Sequence, residues 1–275
     1  MKLQLEPTGE RLIEDAYLGS VGAYVIYQMH AASYAFAEPY CRGADVLDLG
    51  CGSGYGTHRI AALARTAVGV DIADDAVAFA SARYSADNLG YRPIRAGEAL
   101  PFADASFDTV LSFQVIEHVH DVRGYLREAR RVLRPGGAMV IITPDRKHRL
   151  LPGQKPWNRW HLREYSLQGL VEEVAPVLTV ESRLRMGAPD AVAVHELKRY
   201  RWTKWLTLPM TLPFVPEPLR RSGLDFLHRI KGQGKPVSAT ATGQTAVDYG
   251  FGEEAFVFAE DAPNSLNVVV VARKQ

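Results

Sequence analysis

The sequence predicts a doubly wound α/β fold, a mainly parallel sheet with helices on both faces. Two observations predict it. Strand-like and helix-like segments alternate through the first half of the chain, the signature of βαβ units. One strand-like run also opens directly into a loop with glycine at alternate positions, Val46-Leu47-Asp48-Leu49-Gly50-Cys51-Gly52-Ser53-Gly54-Tyr55-Gly56. With 275 residues, 47% hydrophobic and 23% charged, the chain has enough apolar material for one large domain of this kind plus an insertion.

Each element follows in order. Asp45 to Leu49 reads as a strand, Tyr55 to Ala64 as the helix after the glycine turn, and Thr66 to Val70 as a second strand. A helix is expected from about Asp74 to Tyr84, and Phe107 to Phe113 is a β-branched and aromatic run of strand length. Tyr125, Leu126, Ala129, Val132 and Leu133 share one helix face. Arg134-Pro135-Gly136-Gly137 is a stop signal, and Ala138 to Thr143 then reads as a buried strand. Leu167, Leu170, Val171 and Val174 follow helical spacing behind Ser166 as N-cap. Val177 to Leu184 and Ser265 to Ala272 are two further strands, separated by too many residues for a hairpin. Between them lies a segment of different character. From residue 195 to 235 nine Lys or Arg stand against three Asp or Glu, with Tyr200, Trp202, Trp205, Phe214, Phe226 and prolines at 209, 213, 216 and 218. It reads as short helices broken by a Pro-rich turn.

Composition narrows the function. A net charge of +1 argues against nucleic acid as an obligatory partner. The two cysteines, Cys41 and Cys51, and the lack of any zinc-ligand spacing fit a reducing, cytoplasmic setting. No secretory signal and no run long enough to span a bilayer is visible.

The glycine loop points to a nucleotide-like ligand, because bare backbone lets N–H groups approach it and permits a left-handed turn. A dinucleotide fingerprint G-x-G-x-x-G/A fails in both frames, ending on Tyr55 or Thr57. The anion Asp48 just before the loop suits a ligand carrying a positive amino or sulfonium group better than a pyrophosphate. Asp71, at the end of the second strand, has the spacing of a carboxylate that accepts from ribose hydroxyls. Ala96-Gly97-Glu98-Ala99 puts another carboxylate in a tight loop before the next strand, where it can accept from an adenine amino group.

Taken in order, these motifs resemble the class I S-adenosylmethionine-dependent methyltransferases over Val46 to Pro144, including the Glu117-His118 pair and Leu133-Arg134-Pro135-Gly136-Gly137. The resemblance implies a Rossmann-like sheet of seven strands, the last antiparallel, with a helical insertion before it. Residues 1–186 and 255–275 would form the cofactor-binding core. Residues 1–42 would be a helical arm over the cofactor, and residues 187–254 a lid, dimer contact or membrane-surface element. It implies S-adenosylmethionine as cofactor. Asp48, Gly50, Gly52 and Gly54 would lie at its methionine end, Asp71 and Ile72 at ribose and adenine, Glu98 and Ala99 at the adenine edge, and Gln114 near the sulfonium. Tyr27, His30 and Tyr34 of the arm would cover it.

Chemistry at an acceptor hydroxyl needs a group that takes its proton. His118, after the fourth strand, is one candidate, expected at the N-terminus of the next helix, where the dipole favours neutral imidazole. Asp145, directed out of the sheet by Pro144, and His161 are the others. Trp157, Asn158, Arg163, Glu164 and Tyr165 are candidates for binding the acceptor, in a run resembling methyltransferases of glycans and glycosylated metabolites. Asp145 replaces the Asn usual after that Thr-Pro. A sugar hydroxyl is the preferred acceptor. A quinone, polyketide or other small metabolite is the alternative, and a noncatalytic cofactor-binding or membrane-surface module a third reading. A divalent metal stays open, since the fold can bring Asp145, His148 and His161 together. So does a homodimer.

Overall fold

A computed structural model describes residues 20–231 and 249–275. Residues 1–19 of the expected arm and 232–248 of the expected insertion lie outside the described residues. In chain order the elements are α1 (Val21–Cys41), β1 (Asp45–Leu49), α2 (Tyr55–Ala61), β2 (Thr66–Asp71), α3 (Asp74–Arg83) and β3 (Leu89–Pro93). Then come β4 (Phe107–Phe113), α4 (Val122–Val132), β5 (Leu133–Pro144), the single turn α5 (Arg146–Arg149) and α6 (Leu167–Val174). The chain ends with β6 (Thr179–Gly187), α7 (Asp190–Thr211), α8 (Glu217–Lys231), β7 (Val257–Ala259) and β8 (Asn267–Arg273).

The strands form one sheet in the order β3-β2-β1-β4-β5-β8-β6-β7. β1 to β5 are parallel, and β8 runs antiparallel to both β5 and β6. Strand order reverses between β1 and β4, so the switch point, where open α/β sheets bind ligands, lies beyond Leu49 and Phe113. The fold class is as expected, with one strand more than the seven implied. That strand, β7, is three residues long and pairs with the end of β6.

The central strands are covered on both faces, which is why they read as unbroken apolar runs. In β5, Val140 and Ile142 belong to one core cluster while Met139 and Ile141 belong to the other; in β8, Val269 and Val271 alternate with Val268 and Val270. One cluster is closed by α1 and α7, the other by α4 and α6. The Asp121 and Ser166 side chains cap α4 and α6 at Gly124 and Gly169 N–H.

Two local readings change. α4 ends at Val132, just before the Arg134-Pro135-Gly136-Gly137 stop signal, as expected. What differs is the strand: β5 begins at once, pairing Leu133 with Phe107 before a bulge that accommodates Gly136 at φ 78, and not at Ala138. The inserted segment holds two longer helices, α7 and the 15-residue α8, and not several short ones. α7 has 22 residues with Pro209 in its last turn, and the break comes after Thr211. The inner face of α7 is part of the core through Val192, Ala193 and Tyr200. Trp202 and Phe214 are 72% and 78% exposed. No described helix is long and apolar enough to cross a membrane. Both cysteines are buried thiols.

A buried carboxylate ties the first elements together. Asp48 of β1 accepts at Oδ2 from the Tyr34 hydroxyl of α1 at 3.0 Å and from Thr57 Oγ1 of α2 at 2.6 Å. The Tyr34 ring lies flat enough on α2 that a Cβ on Gly56 would overlap its Cζ. Gly56→Ala is therefore expected to cost about 2–3 kcal/mol or more, since backbone or ring must move. A urea unfolding curve with a lowered midpoint and unchanged slope would show it.

Burial raises the Asp48 carboxyl to about 6, against the opposing effect of its two donors. The folded chain therefore keeps this proton between about pH 4 and 6, where the unfolded chain has released it. This contribution to stability falls as pH rises through that window and is flat above it, by on the order of 3 kcal/mol in all. In a thermal-melt series from pH 4 to 7, Asp48→Asn should remove that downward slope; an unchanged slope would place the titration elsewhere.

Candidate active site

The glycine loop leaves β1 with three left-handed residues, Gly50 at φ 92, Gly52 at φ 53 and Gly54 at φ 83. They serve different ends. A Cβ on Gly50 would strike the Val115 side chain, and one on Gly54 would lie 2.5 Å from Ala80 Cβ and 2.8 Å from the Tyr91 ring. These two are bare because neighbouring side chains pack on them. Gly52 meets nothing within 4 Å, so its open side is where a ligand can approach the backbone.

Asp71 closes the loop from β2. Its Oδ2 accepts from Gly52 N–H at 3.0 Å and its Oδ1 from Ala73 N–H at 2.9 Å. Both oxygens retain lone pairs for further donors. Beside it Ile72 is 59% exposed, an unusual placement for an isoleucine unless a ligand covers it, and Glu98 and Ala99 are also exposed. Gln114, just past β4, combines a left-handed φ of 56 with a buried amide nitrogen that has no partner among the described residues. A strained residue holding an unsatisfied buried donor at the switch point marks a ligand site.

Of the arm residues, Tyr27 lies with its ring tilted against that of Tyr55, centroids 5.8 Å apart, and burial lowers the His30 imidazole to about 4. Tyr34 is buried under α2, with Phe113 5.0 Å away, and its hydroxyl is committed to Asp48. Asp48 itself is buried, with Oδ2 serving two donors, so it sets charge behind the loop and does not line an open face.

The acceptor side is built where the loop after β4 meets the segment between α5 and α6. His118 lies in a single 3-10 turn, Ile116–His118, short of α4, so the expected placement at that helix's N-terminus is incorrect. Its Nδ1 is 3.1 Å from the Trp160 carbonyl oxygen. The His118 and His161 rings meet edge to face, centroids 4.9 Å apart. His161 Nδ1 is 3.0 Å from Glu164 Oε1, and burial holds this imidazole down at about 4 despite the carboxylate. Burial opposes charge on Glu164, but Arg149 and His161 outweigh it and hold the carboxyl at about 2. Arg149 bonds it twice, at 3.0 and 2.9 Å, with its guanidinium 4.5 Å from the centroid of the Trp157 ring and 4.8 Å from that of Tyr200.

Several expected roles change accordingly. Asp145 caps α5, accepting from Lys147 N–H at 2.8 Å and from Ser265 Oγ at 2.5 Å, and is 3% exposed. Both oxygens are engaged where the chain leaves β5. Asp145, His148 and His161 do not form a metal-ligand cluster; among the described residues the group with ligand atoms close enough is Glu117, His118 and His161. The expected acceptor-binding run is mostly internal. Trp157 stacks under Arg149 and donates to its carbonyl, Asn158 accepts from Trp160 N–H, and Arg163 donates to the His120 carbonyl. Glu164 and Tyr165 are buried. The exposed ring here is Trp160, 49% accessible, and it carries the Arg159 guanidinium.

Two contributors escaped sequence reasoning. Glu117 is fully buried, oriented by Thr143 Oγ1 at 2.8 Å, and was visible only as half of a Glu-His pair. Arg220 of α8 is 1% exposed and donates to the Pro156 carbonyl at 2.6 Å and to that of His161 at 3.5 Å. Nothing local in a basic helix distinguishes it from its solvated neighbours.

Comparison with known proteins fits this geometry. Residues 47–141 match the family described as "Methyltransferase domain". A probable S-adenosylmethionine-dependent methyltransferase of Mycolicibacterium smegmatis is 39% identical over 166 residues, 60% of this chain and 62% of that protein. A ubiquinone biosynthesis O-methyltransferase of Rhizobium rhizogenes is 38% identical over 106 residues, covering 38% of this chain and 42% of the relative. The matches thus span less than two thirds of these relatives' length. Among solved structures, a methyltransferase from Mesorhizobium loti superposes with a TM-score of 0.54 at 15% identity, over 93% of this chain and 98% of that one. The cyclase SpnF does so at 0.55 and 16% identity, over 89% and 80%. The glycine loop and the acidic strand end lie within the matched stretch, where the chain is similar to S-adenosylmethionine-dependent methyltransferases.

Proposed function

We propose that the chain transfers a methyl group from S-adenosylmethionine to a hydroxyl of a small-molecule acceptor. The observation that carries this reading is Gln114 just past β4, strained and with a buried donor lacking a partner among the described residues, taken with the open flank of Gly52. When bound, S-adenosylmethionine supplies a methyl carbon made electrophilic by positive sulfur. The residues present fit it. Gly52 offers bare backbone, Asp71 lone pairs to ribose hydroxyls, Ile72 an apolar face to adenine, and Glu98 with Ala99 the adenine edge. Asp48, charged above about pH 6, sets a negative potential behind the loop towards the amino and sulfonium groups.

On the acceptor side the chain must hold a hydroxyl and remove its proton. His118 and His161, with Glu117 beneath them, are the groups suited to that, while Asp145 is occupied as a cap. The aromatic run around Trp157 is used internally, so a stacked sugar has less support here than it had from the sequence. The acceptor class is therefore taken as a hydroxyl, phenolic or carbohydrate. The relatives named for ubiquinone biosynthesis make phenols one arm of the test and sugars the other. A second reading, cofactor binding without methyl transfer, has one specific support, the cyclase with this same fold.

Binding of S-adenosylmethionine and of S-adenosylhomocysteine by calorimetry, followed by S-adenosylhomocysteine release over a panel of phenols and sugars, tests the reading. Cofactor binding with no turnover on any acceptor would favour the second one. Gly52→Ala is expected to lower cofactor affinity about tenfold or more. Its cost in stability should be only about 1 kcal/mol, from the left-handed φ. A melt shift far larger than that would show a packing role instead. His118→Ala should leave cofactor affinity unchanged and lower kcat by about 10²–10⁴, the range for losing a proton-transfer group. Unchanged kcat on an active acceptor would remove His118 from the chemistry.

A further inference from the structure

We propose that Glu117, His118 and His161 form a binding site for a divalent transition-metal ion, using one carboxylate oxygen and Nε2 of each imidazole. One ligand atom from each of the three lies within 4.8 Å of the others. The chemistry of the surroundings selects which atoms these are. His118 Nδ1 faces a carbonyl oxygen, that of Trp160, at 3.1 Å. A carbonyl can only accept, so Nδ1 carries the proton and the neutral ring presents its lone pair at Nε2. His161 Nδ1 faces Glu164 Oε1 at 3.0 Å, which fixes the same tautomer. A carboxylate or carbonyl on the far nitrogen is how metal-binding histidines are oriented and made more basic. Both rings have that partner, and they meet edge to face with centroids 4.9 Å apart. Glu117 is fully buried and oriented through Oε2 by Thr143.

The supporting groups are rigid. Arg149 grips Glu164 at both oxygens, and Trp157 and Tyr200 lie close to its guanidinium. Leu162 N–H donates to the Glu117 carbonyl at 2.9 Å, stapling the two ligand-bearing segments together, and Arg220 holds the His161 carbonyl. Two imidazoles and one carboxylate form the set that suits Fe(II), Zn(II), Co(II) or Mn(II); magnesium and calcium prefer oxygen ligands alone. Three protein ligands leave positions open for water or an acceptor hydroxyl, whose proton a bound cation makes easier to remove. That role rests on the methyl-transfer reading, but the binding itself does not.

The test uses the whole chain, stripped with a chelator and titrated with Co(II), its visible absorption read alongside equilibrium dialysis. One equivalent should bind with a tetrahedral or five-coordinate spectrum, be displaced by Zn(II), and be unaffected by excess Mg(II). His118→Ala and Glu117→Gln should each weaken binding by about tenfold or more. Circular dichroism and S-adenosylmethionine affinity should be retained in both. No saturable Co(II) binding to the wild type, or equal binding in wild type and both variants, overturns the proposal. Loss of S-adenosylmethionine binding with Co(II) binding intact would instead sink the methyl-transfer reading and leave the metal site standing.

Discussion

The architecture turns on the close approach of four segments to the bare backbone that follows β1. Val115 packs on Gly50, Ala80 and Tyr91 on Gly54, and Tyr34 on Gly56. Only hydrogen on those α-carbons lets β4, α3, β3 and α1 converge at one turn. The contacts are reinforced by polar groups that the same turn presents: Tyr91 donates to the Gly54 carbonyl at 2.7 Å, and Asp71 receives Gly52 N–H. Asp48 collects the Tyr34 and Thr57 hydroxyls. Gly52 is left facing open space in an otherwise filled region, so the packing that closes the fold also defines where it opens.

A second constraint governs the other side of the switch point. Glu164 is a carboxylate with no exposed side-chain surface, and such a charge persists only when it is paired and bonded. Its partners come from three places: Arg149 from α5, His161 from its own loop, and Tyr200 of α7 behind Arg149. The inserted α7 therefore braces the loop that carries His161 and Glu164. Its buried inner face and this stack are what a freely moving lid would have to give up. The aromatic residues on the outer face take no part in the brace.

Legibility in the sequence followed the range of the interactions. β1, α2, β2, β4 and α6 were readable because glycine loop, apolar runs and the Ser166 cap are local signals. β3, Leu-Gly-Tyr-Arg-Pro, has no alternation to announce it, because it lies at the sheet edge and only half of it is shielded. β7 depends wholly on pairing with β6, so nothing in Val-Phe-Ala sets it apart. The glycine loop and the acidic end of β2 were legible for the same local reason. The acceptor side was not, since Asp145 and His118 looked alike as groups beyond strand ends. What separates them is tertiary: Ser265 and Lys147 claim Asp145, whereas His161, 43 residues further on, is brought against His118. Aromatic residues interleaved with charges likewise suggest a sugar platform until Arg149 is seen stacked on Trp157.

This division has a consequence for how the fold can host different chemistry. The glycine loop with Asp48 and Asp71 lies within the family match over residues 47–141. The reactive half is assembled from the Glu117 turn and the 157–165 loop, the latter held by α7 and α8, outside that match. A cyclase and a methyltransferase superpose on this chain equally well because superposition reports the sheet, which both share. What differs between hosts of one sheet is what the long connection after β5 brings against the end of β4. Here that is two imidazoles whose Nδ1 atoms face a carbonyl and a carboxylate, over a buried carboxylate held by Thr143, an arrangement suited to gathering a cation or a proton.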